Sequence, residues 1–247
     1  MHRLEKTVHR LFIAILVVFA VLFFLRNSLP SQNELVDEVA QIPIQKEINK
    51  DTITIPLDGS IGEVDPLYSY ELYGLVVASY DSDVWYDQFH KDDPLNTKDL
   101  CVVWGGNATE GKYLKGKYSH GEFTCFWNFK SYEDYRNFNE SEIANNHLIP
   151  ADESLADKIK EAQIGDQIHF KGYISSYSII SEEDSSIIFS RGTSTIREDT
   201  GDNSCETVYV TDFEIVKKNP NIFALLYQYA IYALIFLTAI SLLMWAF

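Results

Sequence analysis

Two uncharged apolar stretches frame this chain and decide how much of it is left to build a globular fold. Residues 11–25 (LFIAILVVFAVLFFL) run apolar without a break between Arg10 and Arg26. At about 1.5 Å per residue this run falls short of a ~30 Å hydrocarbon core, so the flanking arginines must snorkel or the membrane must be thin. Arg3, Lys6 and Arg10 would also suit the basic start of a signal peptide, but Asn27-Ser28-Leu29 offers no small-x-small cleavage site. Residues 1–26 therefore read as a retained transmembrane signal-anchor. Residues 222–247 are 26 residues without a charge, with Gln228 the most polar and Tyr227, Tyr229 and Tyr232 near the entry, as in an interfacial aromatic belt. A soluble domain would have to cover such a segment on every side, so it reads as a second transmembrane helix.

What remains is one domain's worth of chain. Residues 27–221 hold 16 Lys and Arg against 35 Asp and Glu, a net charge of −19. That charge repels phosphate backbones and argues against a nucleic-acid partner. Orientation is balanced on positive charge alone, with Arg3, Lys6 and Arg10 facing Arg26, Lys217 and Lys218. The anchor-like start and the acidic, Tyr- and Ser-rich loop point to cytoplasmic termini and an extracytoplasmic domain.

Residues 27–60, with Pro30, Pro43 and Pro56 and only short apolar pieces, read as a linker, and residues 61–219 as a β-rich domain. Five β-branched and aromatic runs are strand candidates: 70–80 (YELYGLVVASY), 100–104 (LCVVW), 122–129 (EFTCFWNF), 167–178 (QIHFKGYISSYS) and 206–216 (ETVYVTDFEIV). One helix is signalled by Asp152 as N-cap, Leu155, Ile159 and Ala162 at i, i+4 and i+7, and Gly165 where it should stop. Three strands, a helix and a strand running on from Gly165 form an order that resembles an OB-fold, a small five-stranded Greek-key barrel with a helix before its fourth strand. The resemblance covers about residues 70–216. It implies an oligonucleotide or oligosaccharide binder, and the acidic charge departs from the nucleic-acid members. The expected fold is thus mainly β, an OB-like small barrel with one helix, flanked by two transmembrane helices.

Cys101, Cys125 and Cys205 all fall in the loop domain, as suits an oxidising compartment. Folding 100–104 against 122–129 as a hairpin sets Cys101 opposite Cys125, which predicts a disulfide and leaves Cys205 odd. Three small buried core residues are the alternative. A metal site is not indicated, because no C-x-x-C or clustered histidine accompanies them.

His90, beside Lys91, Asp92 and Asp93, reads as a surface turn, with a general base as the alternative. His120, His147 and His169 are scattered, His169 facing outward between Ile168 and Phe170. The richest polar segment, Arg191 to Asp202, places two guanidinium groups among hydroxyls. Arg191, Thr193, Thr195 and Arg197 are the candidate ligand-binding residues, suited to a carboxylate or phosphate. Asp199-Thr200-Gly201 matches the aspartic-protease triplet but lacks its apolar flanks. Asp199, Asp202, Asn203 and Glu206 lack EF-hand spacing and read as a solvated acidic hairpin rather than a calcium site. Asn107-Ala108-Thr109 and Asn139-Glu140-Ser141 are glycosylation sequons.

With no nucleophile–base pair, metal cluster or cofactor motif at recognisable spacing, the reading is non-enzymatic. It describes a membrane-anchored extracytoplasmic binding or assembly module whose partner is another envelope protein or an anionic ligand. The alternative is an envelope hydrolase or transferase using His90, Asp92 and the 191–202 loop.

Overall fold

The structure, a computed structural model, describes residues 2–82, 84, 87–88, 90–200 and 205–246. In chain order it runs α1 (His2–Leu25), β1 (Ile44–Glu47), β2 (Ile53–Leu57), β3 (Ser60–Asp81) and β4 (Lys98–Val103). The short helix α2 (Gly105–Thr109), the hairpin of β5 (Gly116–His120) and β6 (Cys125–Phe129), α3 (Tyr132–Asn137) and β7 (Ile143–Pro150) come next. Then follow α4 (Glu153–Glu161), β8 (Gln167–Ser181), β9 (Ile187–Arg191), β10 (Cys205–Lys217) and α5 (Ile222–Ala246). The chain divides into two compact units, Met1–Pro30 with Pro220–Phe247, and Ser31–Asn219.

The first unit is the pair α1 and α5, both long and apolar enough to cross a membrane. Phe19 stacks on Tyr227 at 4.9 Å, and the Arg26 guanidinium lies 4.3 Å from the Phe23 ring centre and 4.6 Å from that of Tyr227. Asn221 Nδ2 donates to the carbonyls of Leu25 and Arg26, which α1 has no following turn to satisfy.

The second unit is mostly sheet. Its eight-stranded sheet contains a ring of pairings: β3 with β4, β4 with β7, β7 with β10, β10 with β8, and β8 back to β3. All are antiparallel except β7 with β10. The five runs read as strands are all strands, but the third strand of the ring is Ile143–Pro150, not residues 122–129. The latter form β6, which pairs with β5 in a separate two-stranded sheet. Residues 27–60 are not a bare tether either: β1 and β2 both pair with β3, and Val39 is buried.

The ring encloses the main core. Leu72, Val76, Leu100, Val102, Ala144, Leu148, Ile168, Phe170, Val208 and Phe213 point inward, and α4 adds Leu155 and Ile159. Burying each large side chain contributes roughly 1.5–3 kcal/mol. The helix starts as its sequence signals, with Asp152 Oδ1 accepting from the Leu155 amide at 2.9 Å. Gly165, at φ +89°, then turns the chain into β8. At Gly172 β8 passes so close to β10 that an added Cβ would fall 2.1 Å from the Tyr209 carbonyl oxygen.

Candidate functional site

Alternation along β4, β7 and β10 sends every second side chain to the outer face of the ring. Register then lines them up in two rows. Tyr80, Asp99, His147 and Thr207 are neighbours in one, and Ala78, Cys101, Asn145 and Cys205 in the other. An outer face would ordinarily be solvated, yet Asp99, Asn145, His147 and Thr207 are buried. Two segments cover them, the turn between β5 and β6 and the segment after β9.

The turn is fixed by the Cys101–Cys125 disulfide, with Cα atoms 5.8 Å apart. The sequence pairs the right cysteines through the wrong neighbour, since β4 and β6 are not hydrogen-bonded and the bridge links two sheets. Asn145 Nδ2 donates to the Phe123 carbonyl at 3.0 Å, and its Oδ1 accepts from His120 Nε2 at 2.7 Å. His147 Nδ1 is 2.8 Å from Asp99 Oδ2, and Asn96 Nδ2 donates to Asp99 Oδ1 at 2.8 Å. Burial acts to raise the Asp99 carboxyl, but His147 and Asn96 outweigh it and hold it below the usual range. Burial lowers His147 despite its carboxylate neighbour. The pair is thus an ionised carboxylate in close polar contact with a neutral imidazole.

His90 is not a surface turn. It is buried, its backbone N–H donates to Asp87 Oδ1 at 3.1 Å, and its Nδ1 pairs with Asp87 Oδ2, which also accepts from Tyr80 Oη at 2.9 Å. Asp92, the partner expected from sequence, is exposed, whereas Asp93 is buried and accepts from Tyr177 Oη at 2.6 Å. Burial pushes the Asp93 carboxyl up. The His90 ring centre lies 4.3 Å from that of Phe123, and the Arg191 guanidinium lies 4.4 Å from the same ring. One aromatic residue thus brings together His90 and the start of the arginine-bearing segment.

No family model matches the chain, nor does any curated protein or solved structure.

Gly192, Thr193, Ser194, Thr195, Ile196, Asp199 and Cys205 line an open cavity of about 440 Å³. The segment is anchored to the outer row: Thr207 N donates to Thr193 Oγ1 at 3.0 Å, and Thr207 Oγ1 to the Gly192 carbonyl at 2.9 Å. Burial pushes the Cys205 thiol up to about 11, so it is protonated at neutral pH and a poor nucleophile. The two arginines rest on different rings: Arg197 lies 5.4 Å from the Trp104 ring centre and donates to the Ser141 carbonyl at 3.3 Å. The Asp202 and Asn203 positions of the acidic hairpin, with Gly201 of the triplet, lie outside the described residues. Asn107 of the first sequon is fully buried, while Asn139 of the second is exposed.

Two side chains that the sequence left in solvent are covered, His169 on its outward face and Glu206 of the expected acidic hairpin. His169 does lie opposite Ile168 and Phe170, but it is covered, stacked on Tyr73 at 3.9 Å and 3.0 Å from both Glu71 and Glu214. On the inner face, Glu206 is in register with Asn146, and burial pushes its carboxyl up to about 8. No local pattern signals either, because both arise from strands far apart in sequence.

Proposed function

We propose that the chain is a membrane-anchored extracytoplasmic binding module, with cytoplasmic termini and an OB-like barrel presenting one ligand face. The order of the ring, its single parallel pair and α4 ahead of the fourth ring strand support the OB-like reading. In OB-folds the second and third strands, with the loops joining strands one to two and four to five, form the binding face. The corresponding parts here are β4, β7 and the described residues within 82–97 and 182–200. The observation that carries the proposal is that β4, β7 and the 192–199 segment meet where the contacts Asp99–His147–Asn145–His120 adjoin the cavity lined by Cys205, which is in register with Asn145. A net charge of −19 over residues 27–221 disfavours nucleic acid. The ligand is another envelope protein or an anionic group, met by Arg191, Thr193, Thr195 and Arg197. The double change Arg191→Ala and Arg197→Ala tests this: loss of association with an unchanged melting temperature supports recognition, and unchanged association removes the site. Protease added to intact cells should digest residues 27–221, and protection until lysis would reverse the orientation.

A second reading, an envelope hydrolase or transferase, rests on the Asp87–His90 pair, whose Nε2 has no hydrogen-bond partner among the described residues. The test is turnover of activated esters and phosphate esters by the purified chain, abolished by His90→Gln. Absence of turnover sinks it.

A further inference from the structure

The two glycosylation sequons lie 32 residues apart in sequence, yet their asparagines meet in the fold. The Asn139 backbone N–H donates to Asn107 Oδ1 at 2.9 Å, and Asn107 Nδ2 donates back to the Asn139 carbonyl at 2.7 Å. One residue gives its side chain to the contact and the other gives its backbone.

Asn107 lies in α2 and is fully buried. Its Nδ2 also reaches the Glu142 carbonyl at 3.4 Å, and Thr109 Oγ1 of the same sequon donates within the helix to the Gly105 carbonyl at 2.9 Å. A glycan is bulky and solvated, so a buried amide with its hydrogens engaged has no room for one in the folded domain. Asn139 is the opposite case. It is exposed, its Oδ1 accepts from the Ser141 N–H at 3.1 Å, and its Nδ2 makes no hydrogen bond among the described residues. Only the oxygen of a side-chain amide can accept a backbone N–H, so the Ser141 contact leaves the nitrogen over.

We propose that Asn139 is a site of N-linked glycosylation, its Nδ2 taking an oligosaccharide from a lipid-pyrophosphate donor, and that Asn107 is not. In the transfer a bond forms between Nδ2 and the anomeric carbon of the first sugar, the bond from that carbon to the pyrophosphate oxygen breaks, and Nδ2 gives up one proton as the lipid pyrophosphate leaves. Nothing is oxidised or reduced. This inference rests on the extracytoplasmic placement proposed above, because such transfer takes place on that side of the membrane. It also gives the ligand face a border: the Ser141 carbonyl accepts from Arg197 at 3.3 Å and Ser141 Oγ donates to the Glu198 carbonyl at 3.3 Å, so the glycan stands two residues from the contact that holds the 192–199 segment.

A control site exists at Asp184, exposed in the turn between β8 and β9, whose Oδ1 accepts from the Ser186 N–H at 3.0 Å much as Asn139 Oδ1 does from Ser141. Asp184→Asn completes a third sequon there with Ser185 and Ser186. The experiment synthesises the full chain into endoplasmic-reticulum microsomes and counts glycans by gel mobility before and after an amidase that releases N-glycans. The unaltered chain should carry one glycan, lost in Asn139→Gln and kept in Thr109→Ala, which removes the first sequon without touching Asn107. The Asp184→Asn chain should carry two. A glycan that survives Asn139→Gln, or disappears in Thr109→Ala, belongs to Asn107 and overturns the proposal. A glycan on the Asp184→Asn chain alone also overturns it, while leaving the placement of the domain standing. No glycan on any chain, in microsomes that modify a secreted control protein, overturns both the glycosylation site and the extracytoplasmic placement.

Discussion

The inner and outer faces of β4 and β7 are made by the same two strands, yet they solve burial in opposite ways. Inward, Leu100, Val102, Ala144 and Leu148 join an apolar core that needs only volume and shape. Outward, Asp99, Asn145 and His147 are buried as well, but under a disulfide-held turn and a docked loop, with hydrogen bonds replacing apolar contact. Apolar residues at the outer positions would stabilise the domain at least as well, because buried polar pairs offset a desolvation cost of several kcal/mol per ion. The outer face is thus held by hydrogen bonds and a disulfide, the inner one by apolar volume.

Substitutions should act on the two faces separately. Leu100→Ala, which opens a cavity in the inner core, should lower unfolding free energy by about 2–5 kcal/mol while leaving partner association intact below the melting temperature. Chemical denaturation of the full chain in detergent measures the first, and loss of association in the folded state would contradict the second. Cys101→Ser with Cys125→Ser should cost roughly 3 kcal/mol in the chain-entropy model for a separation of 24 residues, and should loosen the outer face alone. Hydrogen exchange should show new opening at residues 120–125 and 145–147, with the inner core still protected. Asp99→Asn, leaving His147 with a poorer partner, should cost about 1–3 kcal/mol.

The two faces should also differ in their response to pH. Asp99 and His147 both titrate below their ordinary values of 3.8 and 6.5, so the unfolded chain takes up protons more readily than the folded one. Stability from this pair is full above about 6.5 and is lost as pH falls, first through His147 and then through Asp99. Glu206 behaves oppositely. Raised from 4.5 to about 8, it contributes most below about 4.5 and loses that contribution as pH climbs towards 8. Glu206→Gln should therefore have its smallest effect in acid and become progressively more favourable, relative to the parent, up to pH 8. Melting temperatures from pH 4 to 9 would show it, and a pH-independent difference would contradict it.

Sequence made much of this architecture legible, and where it failed the reasons are physical. The terminal helices, α4 with its Asp152 cap, and the strands 70–80, 100–104, 167–178 and 206–216 show in periodicity and composition, which are local. Residues 143–150 (IANNHLIP) escaped because alternation marks a strand only when one face is wet. Here both faces are buried, and Asn145, Asn146 and His147 read as a loop. The strand β2 was hidden by Pro56, tolerated because β2 pairs with β3 alone. Of the candidate site, the 191–199 segment was visible from its chemistry. The burial of His90 was not, since Asp87, Tyr80 and Phe123 meet it only through the fold.

The outer face of β4 and β7, with the 192–199 segment, is the proposed place where this protein meets its ligand. Photo-crosslinking in native membranes tests it most directly, with the photoreactive residue placed at Thr195 beside the cavity or at Asp157 on α4, which follows the opposite end of β7. A discrete adduct is expected from position 195, lost on Arg191→Ala, and none from position 157. An adduct from position 157 alone would contradict it.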